Sequence, residues 1–341
     1  MLKKSTSYER RGLDKVGAYQ LTTNWNTANA GTAKWAFAKQ NDSGEEVFIK
    51  EFIDPVYPMD RSKISPEQCA RKVKICEDFE QRKRRFYNTL NKCSNGNLVV
   101  IKDFFRHRSR FYIVTEKVDV ASISIKEISK LDDDVKILIA KVLTHNVKRL
   151  HDENIVHSDL KPENILIKRT EKGYYTAKLI DFDGSFFESD APQNGDDLPG
   201  DMVYYAPESL RYTAVDERIR VTTKIDVFAL GILFHQYFTG ALPKFDTEQY
   251  DYICEASLSG GKVMVSTNPP MHIVELIRWM LRENPHERPN LDQVFKVLSG
   301  NMAVTPPYPS PIPSEPPPTP LKSDLKKGET MEKWFSAPDD L

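Results

Sequence analysis

Between residues 18 and 116 the apolar positions fall into short strand-like runs at 35–38, 47–53, 98–105 and 110–115. The polar stretch Asn41-Asp42-Ser43-Gly44 separates the first two and predicts a hairpin turn. One long helix interrupts the strands. Ser65-Pro66-Glu67-Gln68 offers an N-cap hydroxyl, a proline at the first helical position and a glutamine able to close a capping box. Apolar and small residues then recur at Cys69, Val73, Cys76, Phe79, Tyr87 and Leu90, which marks one buried face. From about Asp133 the pattern turns helical, with apolar residues three and four apart in 135–150, 225–238 and 273–281. The expected body is therefore α+β: a small, mainly β half at 18–116 and a larger, mainly α half at 117–300, after a short extension at 1–17.

Composition changes this picture at one end. Residues 305–320 hold nine of the 22 prolines, and proline can join neither a helix interior nor a sheet ladder, so an extended tail is expected over 301–341. Two readings of that tail stay open, a spacer or a ligand for an aromatic-lined groove on a partner. Lys+Arg total 48 against Asp+Glu 49, a net charge of −1, so no nucleic-acid partner is expected. Arg82-Lys83-Arg84-Arg85 on the long helix is read as a solvated face. No apolar run approaches the ~18 residues a membrane span needs, and the first eleven residues do not resemble a secretory signal. The four cysteines contain no CxxC pair, which suits free thiols and a cytoplasmic location.

Chemistry concentrates in His157-Ser158-Asp159-Leu160-Lys161-Pro162-Glu163-Asn164. Within six residues this loop offers a carboxylate to accept a hydroxyl proton, an ammonium to neutralise a phosphoryl group and an amide oxygen for a hard cation. Some twenty residues on, the apolar run before Asp181 delivers a second carboxylate, in Asp181-Phe182-Asp183-Gly184.

These two segments, followed by Ala206-Pro207-Glu208, resemble the eukaryotic-type Ser/Thr protein kinase family. The resemblance extends to Val47-Phe48-Ile49-Lys50, to Asp226-Val227-Phe228-Ala229-Leu230-Gly231 and to Asn284-Pro285-His286-Glu287-Arg288-Pro289, and covers about residues 18–300. It implies a bilobal fold using ATP and Mg²⁺ on a protein Ser/Thr substrate. By resemblance Lys50 holds phosphates, and a helix glutamate orients it: Glu80, on the inward stripe, or Glu77 on its flank. Asp159 serves the acceptor hydroxyl, Lys161 the γ-phosphoryl, and Asn164 and Asp181 the metal. Glu116 and Val118 offer backbone hydrogen bonds to adenine, with Thr115 as a small gatekeeper and Leu166 beneath the ring. Asp226 begins a helix anchoring the catalytic loop, and Arg288 pairs with Glu208.

The sequence departs from the family in four places. The phosphate-covering loop aligns with Ala28, Ala30, Gly31, Ala33 and Trp35, with alanine at three expected glycine positions. Ser158 stands where many kinases carry the arginine that binds an activation-segment phosphate, and residues 182–207 contain no Thr, Lys or Arg. Asp183 replaces a hinge glycine, and Phe48 replaces a small residue over adenine. The expectation is a kinase that does not depend on activation-loop phosphorylation. The alternatives are a pseudokinase scaffold that binds nucleotide or a partner, and a small-molecule kinase.

Overall fold

The computed structural model describes residues 14–27, 33–60, 62, 64–118, 122–192, 198–213 and 219–304. The loop positions Ala28, Ala30 and Gly31, the residues before 14 and the proline-rich tail therefore lie outside the described residues.

Six strands form one antiparallel sheet in the order β1-β2-β3-β4-β6-β5: β1 (Lys15–Val16), β2 (Tyr19–Leu21), β3 (Ala33–Gln40), β4 (Glu46–Phe52), β5 (Ile101–His107) and β6 (Arg110–Glu116). The expected hairpin closes at Gly44, whose φ of 71° suits a residue without Cβ. Residues 98–100 do not extend the sheet as expected. Leu98 instead bridges Leu179 in parallel and Val99 donates to the Leu179 carbonyl, so this stretch ties the sheet half to the helical half.

Alternation along β3 and β4 sorts the two faces. Ala36, Ala38, Val47 and Ile49 are buried on the outer face with Tyr112 and Val114. Trp35 pairs with Lys50 and Phe37 with Phe48, so these four side chains share the opposite face, toward the helical half. Helix α1 (Pro66–Cys93) lies across that face and begins with the capping box foreseen at Ser65 and Gln68.

The second half holds α2 (Ile125–Ile128), α3 (Asp133–His151), α4 (Pro207–Thr213), α5 (Lys224–Thr239), α6 (Ile253–Leu258), α7 (Met271–Met280) and α8 (Leu291–Leu298). Between α3 and α4 run β7 (Ile155–Val156), β8 (Ile165–Arg169), β9 (Tyr175–Leu179) and β10 (Phe186–Phe187). Of the 16 residues of α5, 13 are buried, which makes it the central post of this half. One large core runs continuously from Phe86, Tyr87 and Phe104 through Leu143, Phe182 and Phe228 to Val294. Among the described residues no helix is long and apolar enough to cross a membrane.

Candidate active site

The loop from His157 to Asn164 is positioned from below by α5. The Asp226 carboxylate, almost wholly buried, accepts the backbone N–H of His157 at 2.8 Å and of Ser158 at 2.9 Å, and lies 3.0 Å from His151 Nε2. These charge-assisted bonds hold Ser158 at a φ of 71°, an unusual conformation for a residue with a side chain. The His157 ring is buried against Phe182, with centroids 5.0 Å apart. Burial holds the imidazole below its ordinary pKa and hence neutral.

This platform presents Asp159. Its Oδ2 accepts from Asn164 Nδ2 at 2.9 Å and from Lys161 Nζ at 2.8 Å. Its Oδ1 is buried with no hydrogen-bond partner. A buried carboxylate oxygen left open is costly, and here it belongs to the residue whose expected task is to receive a hydroxyl. Asn164 spends its amide N–H groups on the carbonyl and carboxylate of Asp159, which leaves its own Oδ1 without a protein partner. Burial works against the Lys161 charge, but the Asp159 contact outweighs it and raises the pKa.

Asp181 follows β9 in a left-handed conformation, φ 61°. Its Oδ1 accepts from Lys50 Nζ at 2.9 Å and from the Asp183 backbone N–H at 3.3 Å. Burial opposes ionisation of this carboxyl, yet Lys50 prevails and holds its pKa below the ordinary value. Lys50 itself, 9% exposed, is kept charged against its own desolvation by Asp183 and Asp181.

The expected Lys50–Glu80 pair is not formed. Glu80 is half-buried and accepts from Arg84 Nη2 at 2.7 Å, four residues along the same helix. Glu77 is exposed. Lys50 Nζ instead meets Asp183 Oδ2 at 2.6 Å. Lys83, expected on a solvated face, turns inward and donates to the Asp183 carbonyl at 3.2 Å. Its ammonium lies 5.6 Å from the Phe52 ring centroid, 5.7 Å from Tyr87 and 6.0 Å from Phe86. The signal was present: Lys83 sits seven residues from both Cys76 and Leu90, at the middle of the buried stripe, whereas Glu80 lies toward its edge. Asp183 was read as a hinge restraint. It has no positive φ, and its consequence is a carboxylate delivered to Lys50.

On the sheet side of the cleft, Trp35 stacks on Phe48 at 5.5 Å, and Phe37 meets both rings edge-on at 5.8 Å. Thr115 is the cross-strand partner of Phe48, so it faces the same cleft. Leu166 is buried on β8, Val118 is packed against the main core, and Ala33 opens β3 as the partner of Phe52. The Glu116 carboxylate is occupied by Lys178 at 2.7 Å and by the Val100 N–H at 2.9 Å.

One further expectation holds. Arg288 engages Glu208 through both terminal nitrogens, at 2.6 and 2.7 Å, and gives its remaining N–H groups to the carbonyls of Arg282, Lys224 and Glu283. The segment after Asp183 is tied down by charged contacts, with Glu188 Oε1 accepting the Thr223 N–H at 2.7 Å and Arg85 lying 4.8 Å from the Phe187 ring centroid, and by neutral hydrogen bonds. Ser185 Oγ donates to the His157 carbonyl at 2.9 Å, Ser158 Oγ to the Pro199 carbonyl at 2.6 Å and Tyr205 OH to the Leu198 carbonyl at 2.6 Å.

A β-sheet half and a helical half with a carboxylate–lysine–amide loop between them define a two-lobed phosphotransferase architecture. The protein kinase domain family matches residues 60–297, more than half of the chain, and the chain belongs to that family. The match begins after Lys50, in keeping with the altered residues ahead of it.

Curated relatives include kinases named as serine/threonine-protein kinases. Serine/threonine-protein kinase PSK2 of Saccharomyces cerevisiae is 28% identical over 61% of this chain and 18% of its own length. Ovarian-specific serine/threonine-protein kinase Lok of Drosophila melanogaster is 31% identical over 49% of this chain and 34% of its own. DNA damage response protein kinase DUN1 of Saccharomyces cerevisiae is 25% identical over 77% and 54%. The chain thus spans a fifth to about half of the length of these relatives.

Proposed function

We propose that the chain transfers the γ-phosphoryl group of ATP to a serine or threonine hydroxyl of a protein. The observation that carries this reading is the open, buried Oδ1 of Asp159 beside the Lys161 ammonium. Asp159 orients the acceptor hydroxyl and takes its proton, and Lys161 neutralises charge on the group in flight. Lys50 has three N–H donors, two of them spent on Asp181 and Asp183, and offers the third to phosphate oxygens. The Trp35, Phe37 and Phe48 rings roof the base.

The donors present suit Mg²⁺, a hard cation usually held by one or two carboxylates together with substrate phosphates. Among the described residues no cluster of His, Cys, Asp and Glu forms a protein-only metal cage, which fits a site completed by nucleotide. Asp181 and the free Oδ1 of Asn164 would hold the ion, and it would supply charge neutralisation on the phosphate oxygens.

Independence from activation-loop phosphorylation is supported by the neutral contacts of Ser158, Ser185 and Tyr205, which stand where a phosphate-binding arginine is absent. Ser189 is the exposed serine of the segment. The proline-rich stretch 305–320 lies outside the described residues and carries no part of this reading.

The test is transfer of labelled phosphate from ATP to a generic basic protein. Asp159→Ala should lower the rate by about 10²–10⁴-fold, and Ser189→Ala should leave it unchanged. A wild-type rate equal to that of Asp159→Ala would instead establish a pseudokinase scaffold. Dependence on Ser189 would return the switch to phosphorylation.

A further inference from the structure

Taking the catalytic reading above as its basis, we propose that Asp183 is the positioning residue for Lys50, and that Lys83 of α1 holds Asp183 in place. The device is a charge exchange across about a hundred residues of sequence. A carboxylate that protein kinases draw from the helix comes here from the segment after Asp181, and the helix presents a cation in return.

An inventory of carboxylates around Lys50 leads to this assignment. Among the carboxylates of the described residues, only Asp181 and Asp183 reach its ammonium, at 2.9 and 2.6 Å. Asp181 is the residue suited to a metal ligand, so its negative charge is shared with whatever cation the nucleotide brings. Glu80 is committed to Arg84, and Glu77 is exposed. Asp183 remains as the carboxylate that keeps Lys50 charged and pointed into the cleft throughout a cycle.

The other half of the exchange is visible at Lys83. A cation turned inward on a helix needs compensation, because desolvation disfavours its charge and lowers its pKa. The Asp183 carbonyl supplies one acceptor at 3.2 Å, and the faces of Phe52, Phe86 and Tyr87 supply the rest of the shell. A glutamate at 83 would stand against the carboxylate of Asp183, and a lysine there draws that residue toward α1. Lys50, Lys83, Asp181 and Asp183 then sum to zero charge within one half-buried cluster.

The experiment compares Asp183→Asn, which keeps the shape, with Asp183→Glu, which keeps the charge, and adds Lys83→Met. Steady-state transfer should show kcat lowered about 10–100-fold in Asp183→Asn with KM for ATP within about threefold of wild type, the split expected for a contact that acts on the reacting state. Asp183→Glu should stay within about fivefold of wild type, and Lys83→Met should slow transfer by about threefold to tenfold.

A second readout uses nucleotide-free protein labelled with ¹⁵N-lysine, the Lys50 ammonium resonance being assigned by its loss in Lys50→Arg. Its exchange with water should quicken about tenfold in Asp183→Asn and not in Asp183→Glu. Wild-type kcat or a faster rate in Asp183→Asn overturns the proposal, the faster rate marking Asp183 as a competitor for Lys50. Equal losses in Asp183→Asn and Asp183→Glu overturn it too, as a matter of shape, and a wild-type rate in Lys83→Met removes the helix half. If wild type is no faster than Asp159→Ala, the kinase reading fails, and the ammonium exchange alone decides whether Asp183 positions Lys50.

Discussion

The base of the helical half and the cleft beside Lys50 handle buried charge in opposite ways. At Arg288 every guanidinium N–H is used, two on Glu208 and three on backbone carbonyls. At Asp226 a single carboxylate receives two backbone amides and faces an imidazole. Each of these side chains answers fixed main-chain groups, so neither charge can be exchanged without stranding backbone atoms. Among the described residues Lys50 hydrogen-bonds to side chains alone, Asp181 and Asp183. A side-chain partner can be replaced from another segment, provided the vacated position is compensated.

Arg288→Ala would break the backbone-anchored side of this comparison most severely. It leaves the buried Glu208 carboxylate without a cation and removes one donor from each of three carbonyls, so a loss of about 3–5 kcal/mol is expected in denaturant unfolding. A cost under about 1 kcal/mol would mean that the pair is solvated or replaceable, and the contrast with Lys50 would disappear.

Intermediate effects are expected where the activation segment meets the catalytic loop. Gly200 has a φ of 146°, and a Cβ there would lie 2.5 Å from the Tyr205 ring and 2.9 Å from the Ser158 carbonyl oxygen. Gly200→Ala should therefore cost about 1–3 kcal/mol in melting experiments and slow transfer as well. Ser158→Ala deletes one hydrogen bond to Pro199 and should cost about 1 kcal/mol. If Ser158→Ala instead reduced activity as far as Gly200→Ala, the hydroxyl would be more than a tether.

Part of this comparison could be read from the chain. Asp226, Glu208 and Arg288 were legible because the motifs that carry them resemble those of the protein kinase family. The capping box at Ser65 was legible from local spacing, since all its atoms lie within four residues. The Lys50 partner was not. The family resemblance asks for a helix glutamate, the choice lies between Glu77 and Glu80, and Lys83 reads as part of a solvated face. That expectation holds only if the loop carries no carboxylate of its own, and Asp183 meets Lys50 from 133 residues away. The break of the sheet at residues 98–100 is tertiary in the same sense: Leu98 and Val99 have strand-like side chains, and they pair with Leu179.

The smallest expected effect concerns His235, near the C-terminal end of α5. Its Nδ1 donates to the Ala241 carbonyl at 2.8 Å, and its Nε2 accepts the Ser266 N–H at 3.1 Å, a pattern only the neutral imidazole can satisfy. Burial holds its pKa below the ordinary value of 6.5, opposed in part by the Ala241 carbonyl. Below pH 6.5 the unfolded chain therefore takes up this proton before the folded chain does, and stability falls with pH until the folded pKa is passed. His157, also held low by burial, adds to the same slope. Asp181 does not enter this window. Its pKa is depressed from 3.8, so its contribution is present above that value and is lost only in stronger acid. The melting temperature should thus decline between pH 6.5 and 5. His235→Gln keeps one donor and one acceptor but cannot titrate, and should make that decline shallower while leaving the melting temperature at pH 7.5 within a few degrees of wild type. An unchanged slope would mean that His235 is protonated in the folded protein, with the Ser266 contact given up.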